Sequence, residues 1–229
     1  MKKYGVYHIY CENNWKEIFD EQIKLLIDSG ILLEIDKLFL TVNYTFDFDL
    51  IYIKDKISGL NLEVVYSSKN NQYEFPALDF IKNLIKKEDC YLFYFHTKGS
   101  SISEKNKLFY HNSTDLEHLK NCVKDWRNYM EYFIIQNFKG CLKVLEEYDA
   151  CGVNLVSSPS NHFSGNFWWA RSSYLKKLPE ISLLDKNHRW DAEFWIGLGN
   201  GNLYCFHKNS AGYKLRLDKN EYILKNEYN

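Results

Sequence analysis

The run Cys90-Tyr91-Leu92-Phe93-Tyr94-Phe95 constrains the fold most, because it is apolar or aromatic throughout. A strand with one wet face alternates apolar and polar residues; a run that does not alternate is covered on both faces. Such a strand belongs inside a mostly parallel sheet. Tyr4–Tyr10, Lys37–Val42 and Leu62–Tyr66 read as its companions. Between them, Trp15, Ile18, Phe19, Ile23, Leu26 and Ile27 fall at helical spacing, and Ser29-Gly30 supplies the stop. Phe75–Ile85 reads as a second helix, with Pro76 in the first turn, where a missing N–H costs little. This order predicts an α/β chain, a three-layer α/β/α sandwich around a mostly parallel mixed sheet.

The second half begins helical. Asp115 can cap a helix from Leu116 to about Asn137, and Gly140 separates it from a shorter piece over Cys141–Tyr148. Strands are expected at Cys151–Val156, Phe163–Ala170 and Asn202–Phe206, and helices at Ser172–Leu178 and Asp191–Leu198. No repeat or linker divides residues 1–229, so one domain is expected, with a loosely ordered tail from about residue 213.

Composition narrows the partners. The formal net charge of −1 gives the chain no overall attraction for nucleic acid or an anionic membrane. No run approaches the ~20 apolar residues of a membrane-spanning helix. Met1-Lys2-Lys3 leads straight into a strand pattern, which does not read as a secretion signal. The six cysteines form no CxxC pair and read as free thiols. A cytoplasmic protein, peripheral at the inner membrane face where partners or its substrate bring it there, is the expectation. Only four of the 29 basic residues are Arg, namely Arg127, Arg171, Arg189 and Arg216, so each is worth locating.

Ligands of an open α/β sheet bind beyond the carboxyl ends of its strands. The first strand exits at Tyr10. The fourth exits abruptly into His96-Thr97-Lys98-Gly99-Ser100-Ser101, which brings an imidazole, hydroxyls, a cation and a flexible Gly to the place of a ligand. Lys is a point-charge partner for phosphate, and Gly lets the backbone approach it. The GxxxxGK[ST] phosphate loop is absent. In His162-Phe163-Ser164-Gly165-Asn166-Phe167-Trp168-Trp169, Gly165 gives clearance and Asn166 both donates and accepts. Trp168 and Trp169 point to opposite faces of a strand, one to the core and the other toward a pocket. Asp191 and Glu193 open an apolar helix; either caps it or serves as a general base. Arg127, beside the apolar stripe of Trp126 and Met130, can reach a diphosphate. Asp47-Phe48-Asp49 has the form of a metal–diphosphate motif, but its polar setting reads as a solvated loop.

Taken together, His8–Trp15, Phe95–Gly99, Trp126-Arg127, Phe163–Trp169 and Glu193 resemble the GT-A glycosyltransferases. Within them, the chain is similar to small bacterial and viral polysaccharide-synthesis enzymes with a strand-HTKG motif, related to the rhamnan-synthesis type. The resemblance spans about residues 4 to 207. It implies a GT-A, Rossmann-like fold and transfer of a sugar from a nucleotide-diphosphate donor, UDP-linked, to a hydroxyl of a growing surface glycan. Donor binding would fall to Tyr10, His96, Thr97, Lys98, Gly99 and Arg127. Ser164, Gly165, Asn166 and Trp168 would border the donor and acceptor sugars. Glu193 or Asp191 would be the base of an inverting displacement.

Family members place Asp-x-Asp, which binds Mn²⁺ or Mg²⁺, where this chain has His96-Thr97-Lys98. Two readings follow: Lys98 replaces the metal as the diphosphate's countercharge, or His96 or His207 still holds a metal. A non-catalytic nucleotide- or glycan-binding module is the alternative function. Nucleotidyl transfer is a third, disfavoured by the lack of a Gly-rich loop after the first strand.

Overall fold

In the computed structural model, residues 1–105, 115–210, 212 and 214–223 are described. The first half contains β1 (Lys2–Tyr10), α1 (Trp15–Asp28), α2 (Ile31–Glu34), β2 (Lys37–Asn43), α3 (Asp47–Lys56), β3 (Leu62–Ser68), α4 (Phe75–Ile85) and β4 (Cys90–His96). The second half contains α5 (Leu116–Glu131), α6 (Phe138–Val144), β5 (Ala150–Gly152), β6 (Leu155–Val156), β7 (His162–Phe163), β8 (Trp168–Arg171), α7 (Ser172–Leu175), α8 (Trp190–Phe194), β9 (Leu203–Cys205) and α9 (Asn220–Ile223).

Seven strands form one sheet in the order β3-β2-β1-β4-β8-β5-β9. All neighbouring pairs are parallel except those of β8, which runs antiparallel to β4 and β5. The expected mostly parallel mixed sheet is therefore observed. Alternate residues of β4 feed two cores. Phe93 and Phe95 join Trp169, Phe19 of α1 and Trp126 of α5 on one face. Leu92 and Tyr94 join Trp168, Leu78 and Ile81 of α4 and Trp195 on the other. Burial on both faces explains why β4 does not alternate in sequence, and the three layers make a Rossmann-like α/β/α sandwich.

Several expectations are corrected. Asp47-Phe48-Asp49 is no loop: it forms the first turn of α3, where buried Asp49 accepts the Phe46 N–H at 3.0 Å. The break in the long helix is a π-helical turn over Tyr132–Gln136, not Gly140, which lies inside α6. The strand expected over Cys151–Val156 divides at Asn154, whose φ is +48°, so that β6 leaves the sheet and pairs with β7. The strand expected over Phe163–Ala170 is interrupted by a turn at Ser164–Gly165–Asn166. Within the described residues, part of the tail folds back onto α5. Leu217 and Tyr222 are buried, Tyr222 packs on Tyr129, Tyr132 and Phe133, and Arg216 pairs with Asp125 at 2.5 Å. Residues 213 and 224–229 of that expected tail lie outside the described residues. The six cysteines are unpaired thiols, five of them buried. Among the described residues, no helix is long and apolar enough to cross a membrane.

Candidate functional site

β1 and β4 lie side by side in parallel, with His8 opposite His96. Both therefore release the chain at the same edge, and a cleft of about 670 Å³ opens there. That size suits a small-molecule ligand. The exit of β4 is a tight turn. The N–H of Thr97 donates to the His8 carbonyl at 3.1 Å, and that of Lys98 to the His96 carbonyl at 2.7 Å. The buried Thr97 hydroxyl accepts the Tyr10 N–H at 2.9 Å. Gly99 has φ +99°, and a Cβ there would come within 2.9 Å of Val123. The residue type is thus dictated by both conformation and space.

Behind the cleft stands a knot of polar groups. Ser164 and Gly165 form a turn closed by the Asn166 N–H to the Phe163 carbonyl at 2.9 Å, with Gly165 at φ +93°. A positive φ at the third position calls for Gly in a type II turn. The Gly165 peptides serve two side chains. The Gly165 N–H donates to Glu193 Oε1 at 2.6 Å, and the Gly165 carbonyl accepts from His96 Nε2 at 3.1 Å. Glu74 ties the knot: its Oε2 accepts from the Tyr94 hydroxyl at 2.7 Å and from Asn166 Nδ2 at 2.6 Å, and its Oε1 lies 3.7 Å from His96 Nδ1. Hydrogen bonds to a carboxylate are among the stronger ones.

Burial dominates the electrostatics. It pushes the pKa of His96 down to about 3, aided by the nearby Lys98 charge, and that of His8 down to about 4. Both imidazoles are neutral at physiological pH. A neutral His96 that donates from Nε2 leaves Nδ1 as an acceptor. The floor is braced from below: Gln22 donates to the His96 carbonyl at 3.1 Å and to Glu131 at 2.7 Å, and accepts from the Tyr7 hydroxyl at 2.6 Å. Burial raises the Glu131 pKa to about 7, against the opposing pull of Arg127, 3.5 Å away, and of the Gln22 hydrogen bond.

The cleft gathers Tyr10, His96, Thr97, Lys98, Gly99 and Glu193, residues singled out from the sequence. The other residues assigned a role from the sequence lie outside that lining. Arg127 does not line it; its guanidinium is buried, paired with Glu21 at 2.6 Å, and donates to the Lys98 carbonyl at 3.2 Å. It braces the turn. Ser164, Gly165, Asn166 and Trp168 lie behind the lining. Asn166 is buried and accepts from Trp168 Nε1 at 2.8 Å. Trp168 and Trp169 are both core residues, one on each face of the sheet. Asp191 also lies outside the lining; it accepts from His188 Nδ1 at 2.5 Å and from the Asp185 N–H at 3.2 Å, pinning the loop before α8. His207 lies away from the cleft lining, bonded to the Tyr129 hydroxyl at 3.0 Å and stacked on Phe133.

Sequence reasoning missed Glu74, Asn71, Tyr73 and Trp190, which also line the cleft. Glu74 immediately precedes α4, and an acid before a helix that starts Phe75-Pro76 reads as a cap. Nothing local signals that its partners are Tyr94, His96 and Asn166.

Among the described residues, no group of three or more His, Cys, Asp or Glu side chains is arranged to hold a metal ion. His96 spends one ring nitrogen on a carbonyl, and His207 lies elsewhere. Among the described residues, the donor set thus does not fit a resident Mn²⁺ or Mg²⁺.

The family described as a domain of unknown function, DUF8361, matches residues 7–194, from β1 through Glu193 and the cleft floor. The chain belongs to the DUF8361 family. Solved structures similar to this DUF8361 chain include a 4-diphosphocytidyl-2C-methyl-D-erythritol synthase from Anaerococcus prevotii, at 12% identity and TM-score 0.43 over 97% of this chain and 94% of that one. HddC from Yersinia pseudotuberculosis is similar at 10% identity and TM-score 0.48 over 91% of each chain. Another 4-diphosphocytidyl-2C-methyl-D-erythritol synthase is similar at 10% identity and TM-score 0.41, covering 97% and 96%. No curated protein matches the chain.

Proposed function

We propose that this protein is an inverting glycosyltransferase of the GT-A type, which moves a sugar from a nucleoside-diphosphate donor, UDP-linked, to a hydroxyl of a growing surface glycan. The observation that carries the reading is Glu193. One of its oxygens is fixed by the Gly165 N–H, and the other has no hydrogen-bond partner among the described residues of the same cleft that Lys98 lines. An anchored carboxylate with a free oxygen is suited to take a proton from a bound hydroxyl.

In this reading the acceptor hydroxyl gives its proton to Glu193 as its oxygen attacks the anomeric carbon. The bond from that carbon to the diphosphate oxygen breaks, and the diphosphate leaves with the electron pair. The leaving group needs a positive partner. His96 is neutral, so that charge falls to Lys98. His96 then acts as a hydrogen-bonding group at the floor. Tyr10 and Tyr73 offer aromatic surface on the same lining for a nucleoside.

Nucleotidyl transfer is the competing group-transfer reaction. The lining sets Lys98, Lys105 and Arg189 against Glu12, Glu74, Glu104 and Glu193. That balance favours the lower charge of a diphosphate sugar over the higher charge of a triphosphate. Product analysis separates the two: incubation with a panel of UDP-sugars and sugar acceptors is expected to release UDP, with or without EDTA. Release of pyrophosphate from a nucleoside triphosphate would establish nucleotidyl transfer instead. Binding of UDP without turnover of any donor would leave a binding module. Loss of activity in EDTA would move the countercharge from Lys98 to a metal. Donor binding itself is read by thermal shift, since a ligand at 100 times its Kd adds about 2.7 kcal/mol of stability.

A further inference from the structure

Three of the four arginines spend their guanidinium on partners within the fold. Arg127 pairs with Glu21 and Glu131, Arg216 with Asp125, and Arg171 donates to the Leu145 carbonyl. Arg189 is different. It is exposed, lines the cleft and has no carboxylate or carbonyl partner among the described residues. Its guanidinium instead lies 4.7 Å from the centre of the Trp190 ring. Trp190 is 47% exposed and lines the same cleft. The His188 ring flanks it at 5.3 Å, and Asp191 holds His188 in turn. The loop is thus ordered so as to keep an indole face and a guanidinium at the mouth of the cleft. Stacking holds the guanidinium while leaving its N–H fork unspent, the geometry that pairs with a phosphate or carboxylate.

We infer that Arg189 and Trp190 form a subsite for an acceptor sugar ring that carries an oxyanion, the indole taking the ring and the guanidinium the charged group. Assignment to the acceptor rests on the proposed transferase reading. Arg189 and Glu193 are four residues apart across the start of α8, so their Cβ atoms stand on one face about 6 Å apart. The cation is therefore a neighbour of the group proposed to deprotonate the acceptor, whereas Lys98 serves the donor from the β4 exit. The oxyanion is either the phosphate of a phosphate-linked sugar or the carboxylate of a uronic acid.

Calorimetric titration with α-glucose 1-phosphate, methyl glucuronide and methyl glucoside, each with and without saturating UDP, tests this. At least one charged sugar is expected to bind ten to a hundred times more tightly than methyl glucoside. A preference for the phosphate or for the uronide identifies the source of the oxyanion. Arg189→Ala is expected to erase that advantage while UDP affinity changes less than about twofold, and Arg189→Lys to restore part of it. Trp190→Ala is expected to weaken all three sugars together. Equal binding of charged and neutral sugars to the unaltered protein overturns the inference. So does a fall in UDP affinity in Arg189→Ala that matches the fall for glucose 1-phosphate, which would make Arg189 a donor ligand. If UDP does not bind but a charged sugar does, the subsite stands and the nucleotide-sugar reading fails.

Discussion

The floor and the rim of the cleft are built on opposite principles. On the floor, His8, Thr97 and Asn166 are buried, and Glu74, His96 and Gly165 are joined by hydrogen bonds to at least two other elements. At the rim, Arg189 and Trp190 are exposed and held chiefly by ring stacking and one pinned loop. The floor can fix the position of reacting atoms to a fraction of an ångström; the rim can change its side chains without disturbing the fold. Geometry of the reaction resides in the first, choice of ligand in the second. Glu193 belongs to both, since it sits on the rim helix but is anchored to the floor through Gly165.

That division can be broken or sharpened by experiment. Glu193→Gln keeps an acceptor for the Gly165 N–H but cannot take a proton, so turnover should fall roughly 10²–10⁴-fold with UDP affinity unchanged. A parallel loss of UDP binding would make Glu193 part of the floor only. Lys98→Ala should lower turnover about 10²–10³-fold; near-normal rates would remove it as the countercharge. Acid should weaken the floor. His8 and His96 stay neutral in the fold down to about 4 and about 3, whereas in the unfolded chain they take up protons below about 6.5. The unfolded state then binds more protons, so stability should fall as pH drops below 6.5 and level off only beneath the folded values. Urea midpoints measured from pH 7 to 3.5 check this, and a flat profile would mean charged imidazoles in the fold. Glu74→Gln should cost about 1–3 kcal/mol in the same assay, because Tyr94 and Asn166 lose a charged acceptor. The smallest effect is at the rim: Trp190→Ala should leave stability within about 0.5 kcal/mol. A larger loss would show that the rim, too, is structural.

The sequence announced the sheet through runs such as Tyr91–Phe95, since burial on both faces leaves a pattern in any strand that experiences it. It also singled out Lys98, which follows the end of β4, and Glu193, in the first turn of α8. α3 stayed hidden because Phe48, Leu50, Ile51, Tyr52 and Ile53 run nearly together instead of at helical spacing, and Phe48 and Ile51 end up exposed. The folded part of the tail gave no clear pattern, because buried Leu217 and Tyr222 stand beside exposed Leu215 and Ile223, and what covers them is α5, about a hundred residues earlier. Glu74 was missed for a similar reason. Its three partners come from β4 and the turn before β8, and only the antiparallel insertion of β8 beside β4 brings them together. Trp168 misled in the other direction, because a wide apolar ring next to Gly and Asn looks like a sugar platform until both faces of its strand are seen to be covered.

Gly165 carries a consequence for how such a site can change over generations. The same residue positions a carboxylate through its N–H and an imidazole through its carbonyl, and its positive φ and the adjacent Met130 and Trp126 leave no room for a side chain. A mutation there is not a local experiment that selection could refine by small steps, since it disturbs both partners at once. New specificities in descendants of this protein have an open route at the exposed Arg189–Trp190 edge and a closed one at Gly165, so diversification should proceed from the outside of the cleft inward.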